Sequence, residues 1–238
     1  VIEPLVLLPE MMCDARLFGP QINSLSRQRV VTVAPISLGE RIEEIASTLL
    51  DQLPRRFALG GSGMGGVVAL ELIRRAPDRV TRLCLMATDA QADTPQMAAA
   101  REELLIGAMM GRLEEVMHRI IGSDTLAPGP RRIPILNEVV SMALDQGPEV
   151  FERQIRALQR RPDQQGELRH ITVPTLVLCG AHDTLTPQRK HEFMSEMIPG
   201  AELKVLDEAG HLPSLEAPQT VIDALAEWLN VPARAAYV

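Results

Sequence analysis

Short runs of consecutive apolar residues recur along the chain, and stretches with apolar residues at helical spacing lie between them. The runs are Leu5 to Leu8, Val30 to Ala34, Phe57 to Gly60, Leu83 to Ala87, Thr175 to Cys179 and Leu203 to Leu206. A segment apolar at successive positions suits a strand that helices cover on both faces. Helices are predicted over Glu40 to Leu53, Val67 to Arg75, Gln188 to Met197 and Gln219 to Leu229. The alternation predicts an α/β fold with a doubly wound, mostly parallel sheet. From Thr94 to His170 the rhythm breaks: no strand-like run occurs, and helices are predicted over Gln96 to Met110, Leu113 to Ile121, Pro134 to Leu144 and Pro148 to Arg160. Pro128, Gly129 and Pro130 punctuate them. The expected organisation is a core of residues 1–92 and 171–238, with residues 93–170 inserted between two strands as a helical lid. A lid there covers the sheet's carboxyl edge, where ligands bind in such folds.

Composition narrows the function. The 238 residues suffice for one well-buried α/β domain, and 46% hydrophobic with 23% charged is ordinary for a globular protein. A formal net charge of -7 and an aromatic content of 3% argue against nucleic acid and against a base-stacking surface. Cys13, Cys84 and Cys179 are widely spaced and odd in number, so neither a zinc site nor a disulfide framework is indicated. A reducing cytoplasm fits. No basic segment with an apolar run and cleavage site opens the sequence, which starts at Val1, and no run is long enough for a membrane span. No metal or nucleotide motif is present, so no cofactor is expected, and the expected partner is a small-molecule substrate.

The strongest local signal is Leu59-Gly60-Gly61-Ser62-Gly63-Met64-Gly65-Gly66, between an apolar strand and the helix Val67 to Arg75. Strand, tight glycine turn and helix form the setting of a nucleophile elbow, which demands small residues two positions either side of its centre. With Ser62 central the flanks are Gly60 and Met64, and methionine is too large. With position 63 central they are Gly61 and Gly65, and both fit. The central residue is therefore Gly63.

Five segments together carry a family resemblance: Leu5 to Asp14, the elbow, Arg75 to Val80, Leu176 to Asp183, and Glu208 to Pro218 with its Gly210-His211-Leu212-Pro213. The chain resembles α/β-hydrolase-fold proteins of the short, lid-bearing esterase and lactonase type. The resemblance implies a triad in the order nucleophile, acid, histidine. It assigns Asp183, in Gly180-Ala181-His182-Asp183, as the acid and His211 as the general base. It also implies an oxyanion hole from the backbone N–H groups of Met11 and Met64. Two departures stand out. Glu10 replaces the small residue usual before the second oxyanion donor, and Gly63 replaces the nucleophilic serine.

Three accounts of Gly63 stay open: an engineered replacement of the nucleophilic serine that inactivates a Ser-His-Asp hydrolase, a natural variant whose His211–Asp183 pair activates water directly, or Ser62 standing in for the missing hydroxyl. The leading function is hydrolysis of an ester, lactone or related carbonyl compound. The alternatives are another reaction class run by the His–Asp pair (lyase, isomerase or cofactor-free oxygenase) and a ligand binder without catalysis. Asp89, at the end of the fourth strand, is a rival acid. His118, His170, His182 and His191 read as solvated or structural, and Cys13 as packing. Met97, Met109, Met110, Met117 and Met142 read as lid core, some of them lining an adaptable pocket. Arg131 and Arg132 read as a solvated pair, with a carboxylate clamp as the sharper alternative.

Overall fold

The computed structural model describes residues 2–232. Six strands form one parallel sheet: β1 (Leu5–Leu8), β2 (Val31–Val33), β3 (Phe57–Ser62), β4 (Val80–Met86), β5 (Thr175–Gly180) and β6 (Glu202–Leu206). Their order is β2-β1-β3-β4-β5-β6, and every pairing is parallel. The four central strands are buried at every residue, whereas β2 and β6 are only partly covered. That difference explains why the central strands read as unbroken apolar runs and the edge strands as weaker ones.

The helices are α1 (Gly19–Leu25), α2 (Ile42–Gln52), α3 (Met64–Arg75), α4 (Pro95–Gly107), α5 (Leu113–Ile120), α6 (Arg132–Gln146), α7 (Pro148–Gln159), α8 (Gln188–Met197), α9 (Pro213–Glu216) and α10 (Pro218–Asn230). Helix α1 packs on α10, and α2 on α3. All the strands and helices anticipated from the hydrophobic pattern are present, with shifted ends. Helix α1 and the short 3-10 turn Ala15–Phe18 before it were not anticipated. Between β4 and β5 lie helices α4 to α7 and no strand. A kink at Gly111, with φ +81°, separates α4 from α5.

The chain reverses its direction of travel across the sheet between β1 and β3, which are neighbours. Parallel α/β sheets open a crevice at such a switch point, beyond the carboxyl ends of the strands. The segments leaving β1 and β3 there are Pro9-Glu10-Met11 and Gly63-Met64. They are held together by Gly65, where a Cβ would lie 2.2 Å from the Leu8 carbonyl oxygen and 2.5 Å from that of Pro9. Only a residue without a side chain lets the first turn of α3 rest on the end of β1.

Candidate active site

The turn at the switch point is tighter than the sequence pattern implied. Strand β3 runs on to Ser62 and α3 begins at Met64, so Gly63 alone makes the corner. Its φ of +53° and ψ of -118° lie where residues with a Cβ are strained. Its N–H donates to the Met86 carbonyl at 2.9 Å, and its carbonyl accepts from Thr88 Oγ1 at 2.7 Å. Ser62 is buried at the end of the strand and is not among the residues lining the adjacent cavity.

His211 follows β6 on a loop fixed from two sides. Its N–H donates to the Thr125 carbonyl at 2.8 Å. The Glu216 carboxylate accepts from Gly210 N–H at 3.0 Å, Leu212 N–H at 2.8 Å and Ala127 N–H at 2.7 Å. His211 Nδ1 lies 2.9 Å from Asp183 Oδ2. Asp183 is itself immobilised, since its Oδ1 accepts from Leu185 N–H and Thr186 N–H, each at 2.9 Å, and its Oδ2 from Thr186 Oγ1 at 2.6 Å. The rival Asp89 is engaged elsewhere, with Lys190 Nζ at 2.5 Å and Arg161 at 3.6 Å.

The other side of the imidazole holds a residue to which the family resemblance assigns no role. His211 Nε2 lies 2.9 Å from Glu10 Oε2. Glu10 Oε1 accepts from Met64 N–H at 2.9 Å and, more closely, from Met11 N–H. The two amides expected to form an oxyanion hole thus converge on one point, and an internal carboxylate oxygen occupies it. A Cβ built on Gly63 would lie 1.4 Å from Glu10 Oε2, which is covalent range. Glu10 Oε2 therefore stands where a hydroxyl oxygen on residue 63 would stand. The position at the head of α3, a helix of 12 residues, suits an anion because free N–H groups and the helix dipole point at it.

Burial alone would lower the pKa of His211, but the charge and hydrogen bond of Asp183, joined by those of Glu10, outweigh it and raise the pKa to about 10. A shift in that direction favours the protonated ring, with Nδ1 directed at Asp183 and Nε2 at Glu10. Burial works to raise the Asp183 pKa, and the His211 charge overrides it, so the net shift is downward.

A cavity of about 200 Å³ opens from Glu10, Gly63 and His211. Its lining includes Met97, Met117, Ile121 and Leu158 from the helical insertion and the charged side chains of Asp89, Arg101, Arg161 and Lys190. Arg161 lies 3.2 Å from Asp93, and Arg101 pairs with the same carboxylate. Of the other methionines, Met109 and Met110 are exposed, and Met142 is buried with its sulfur 3.4 Å from Asp14 N. Arg131 and Arg132 do not line this cavity; they donate to the carbonyls of Leu215, Ala127 and Leu126. Cys13 is buried outside the cavity lining, and burial pushes its thiol pKa up. His191 is fully buried and accepts from Thr88 N–H at 3.0 Å, whereas His118, His170 and His182 are exposed.

Two supports were not legible in the sequence. Gln154 of α7 accepts from Met12 N–H at 2.8 Å and so braces the loop after β1, where Met12 has a φ of +57°. Thr88 ties the end of β4 to the Gly63 carbonyl. Among the described residues no group of three or more His, Cys, Asp or Glu could hold a metal ion, and no helix is long and apolar enough to cross a membrane.

A sequence model of the alpha/beta hydrolase family matches residues 14–224. A pimeloyl-[acyl-carrier protein] methyl ester esterase of Neisseria meningitidis serogroup B is 30% identical over 189 residues, covering 77% of this chain and 71% of its own. The enzyme of the same name from Nitrosomonas europaea is 25% identical over 193 residues, with 77% and 75% covered. Among solved structures, a thermophilic esterase from Thermogutta terrifontis superposes with a TM-score of 0.87 at 26% identity, covering 95% of this chain and 89% of its own.

Proposed function

The chain belongs to the alpha/beta hydrolase family, and from that premise we propose that it hydrolyses a small ester, lactone or related carbonyl compound without an acyl-enzyme on residue 63. One observation carries the proposal: His211, oriented by Asp183, points Nε2 into a cavity where two backbone N–H groups also converge. Asp183 fixes the imidazole's tautomer and orientation, and His211 moves protons at Nε2. The Met11 and Met64 amides stabilise negative oxygen. Position 63 supplies no nucleophile, only room. Residues 93–170 act as the lid, and their side chains limit the acyl group to what a cavity of about 200 Å³ admits.

Of the three accounts of Gly63, we take the glycine as native. A carboxylate fills the place of the absent side chain and meets His211 Nε2 and both amides at once, a fit that supports this reading. The esterase relatives support the same reaction class.

The test is initial-rate measurement on a panel of p-nitrophenyl esters, thioesters and small lactones, with the native chain and with His211→Asn. The proposal expects the native chain to turn over members with short acyl groups and His211→Asn to lose at least about 10³-fold. Equal rates for the two proteins, or no turnover above buffer, would overturn it.

A further inference from the structure

We infer that Glu10 is the nucleophile of this site: its Oε2 stands where a seryl oxygen on residue 63 would be, and its Oε1 sits on the two amides that stabilise the subsequent hydrolysis. The inference rests on the hydrolase reading above and extends it to the group that attacks.

The geometry dictates which atom water attacks. In a serine hydrolase the oxyanion hole holds the substrate's carbonyl oxygen. Here Met64 N–H, at 2.9 Å, and Met11 N–H hold Glu10 Oε1, so the carbon they polarise is Glu10 Cδ. The residue is 6% exposed and lines the cavity, and its other oxygen meets His211 Nε2. In the first step Glu10 Oε2 bonds to the substrate's acyl carbon. The bond from that carbon to the leaving group breaks, and the His211 imidazolium gives the departing group its proton. An acyl anhydride on Glu10 and a neutral His211 remain. In the second step His211 takes a proton from water, and the resulting hydroxide bonds to Cδ. The developing oxyanion is Oε1, already on its two donors. Collapse expels the substrate's carboxylate through Oε2, returns Glu10 as a carboxylic acid whose proton passes to solvent, and leaves His211 protonated. The sum is one acyl compound and one water giving one acid and one alcohol, thiol or enol.

This nucleophile selects its substrates. A tetrahedral intermediate expels its less basic substituent first, and a carboxylate (pKa about 4) is far less basic than an alkoxide. Return of the carboxylate therefore competes with every forward step, overwhelmingly so for a simple alkyl ester. It does so least for thiols and phenols, whose pKa values of about 8.5 and 10 lie nearest its own and which depart in competition with it once His211 protonates them. The substrate class is an acyl group on a weakly basic leaving group: a thioester, an aryl ester or an enol lactone.

The experiment is a single turnover of p-nitrophenyl acetate in H₂¹⁸O with native protein in excess, followed by mass spectrometry of the acetate and of the peptide holding Glu10. The inference predicts unlabelled acetate and a gain of one ¹⁸O in Glu10. Labelled acetate with unlabelled Glu10 would overturn it while leaving the hydrolase reading intact, since water then bonds to the substrate's acyl carbon and not to Glu10 Cδ. Should the native protein hydrolyse neither this ester nor the thioesters and lactones above, the hydrolase reading falls. The nucleophile is then read separately with glycidyl p-nitrophenyl ether, whose ring a nucleophilic carboxylate opens to form a stable ester. Alkylation of Glu10 ahead of the other carboxylates upholds the nucleophile, and its absence overturns it.

Discussion

Introducing serine at position 63 should harm this protein, and by an amount the structure sets. The new Cβ would lie 1.4 Å from Glu10 Oε2 and 2.1 Å from its Cδ, so the carboxylate has to leave. Leaving breaks its contacts with His211 Nε2, Met64 N–H and Met11 N–H. Partial rehydration in the cavity limits the net loss to about that of one charge-assisted hydrogen bond, ~1.5–3 kcal/mol. A side chain at φ +53° adds ~1–3 kcal/mol of backbone strain. The sum, ~2.5–6 kcal/mol, corresponds to a fall in Tm of roughly 5–24 °C for a chain of this size. Glu10→Gly alone also destabilises, because His211 loses one of its two partners. In the double variant the two defects cancel in part: the hydroxyl enters the space the carboxylate left and meets Nε2. The double-mutant cycle should therefore show a favourable coupling of ~2–3 kcal/mol, at the upper end of what neighbouring residues give. Urea unfolding of the four proteins at pH 7 measures it. Additivity within ~0.5 kcal/mol, or a Gly63→Ser variant as stable as the native chain, would refute the claim that Glu10 and position 63 share one space.

Two buried histidines should shape the pH dependence of stability in opposite directions. His211 is held at about 10, above its unfolded value, so the folded state binds that proton more tightly. Its contribution is complete below about pH 6.5 and is lost as pH rises through 10. Urea midpoints from pH 6 to 10.5 should fall across that window, and Glu10→Gln should bring its upper end down; an unchanged window in that variant would contradict the pairing. Burial pushes His191 down to about 4, so its contribution is present above about pH 6.5 and is lost as pH falls through 4. His191→Gln retains an acceptor for Thr88 N–H and should flatten that acid decline, seen as Tm between pH 4 and 7; an equally steep decline would assign the loss to carboxylates alone.

Most of the scaffold was legible because its signals are local. Strands β1, β3, β4 and β5 are buried on both faces and so are written as unbroken apolar runs. Helices α4 to α7 appear where that pattern lapses. Helix α1 went unread because Gly19-Pro20 looks like a turn, although proline is well placed in a helix's first turn. The pairing of His211 with Asp183 followed from the family resemblance, and the atoms lie 2.9 Å apart. Glu10 was visible only as a departure from pattern. Its signal was shared between two sites 53 positions apart: a long acidic side chain where a small one is usual, and no side chain where serine is usual. Nothing local connects them. The connection is made by parallel pairing of β1 with β3 and by the approach of α3 to Leu8 at Gly65, which are tertiary facts. Gln154 was hidden for the same reason, since its partner Met12 N–H is 142 positions away.

The central claim is that this site works with glycine at position 63 because Glu10 supplies what serine does not. Its most direct test is kcat/KM on p-nitrophenyl acetate and on a short-chain thioester for the native chain, Glu10→Gln, Gly63→Ser and the double variant Glu10→Gly with Gly63→Ser. The account predicts turnover by the native chain, a loss of at least about 10³-fold in Glu10→Gln, no gain from Gly63→Ser alone, and activity regained only when Glu10 is removed with it. A native chain that is inert while Gly63→Ser alone is active would contradict it and make Glu10 a bystander in an inactivated serine hydrolase.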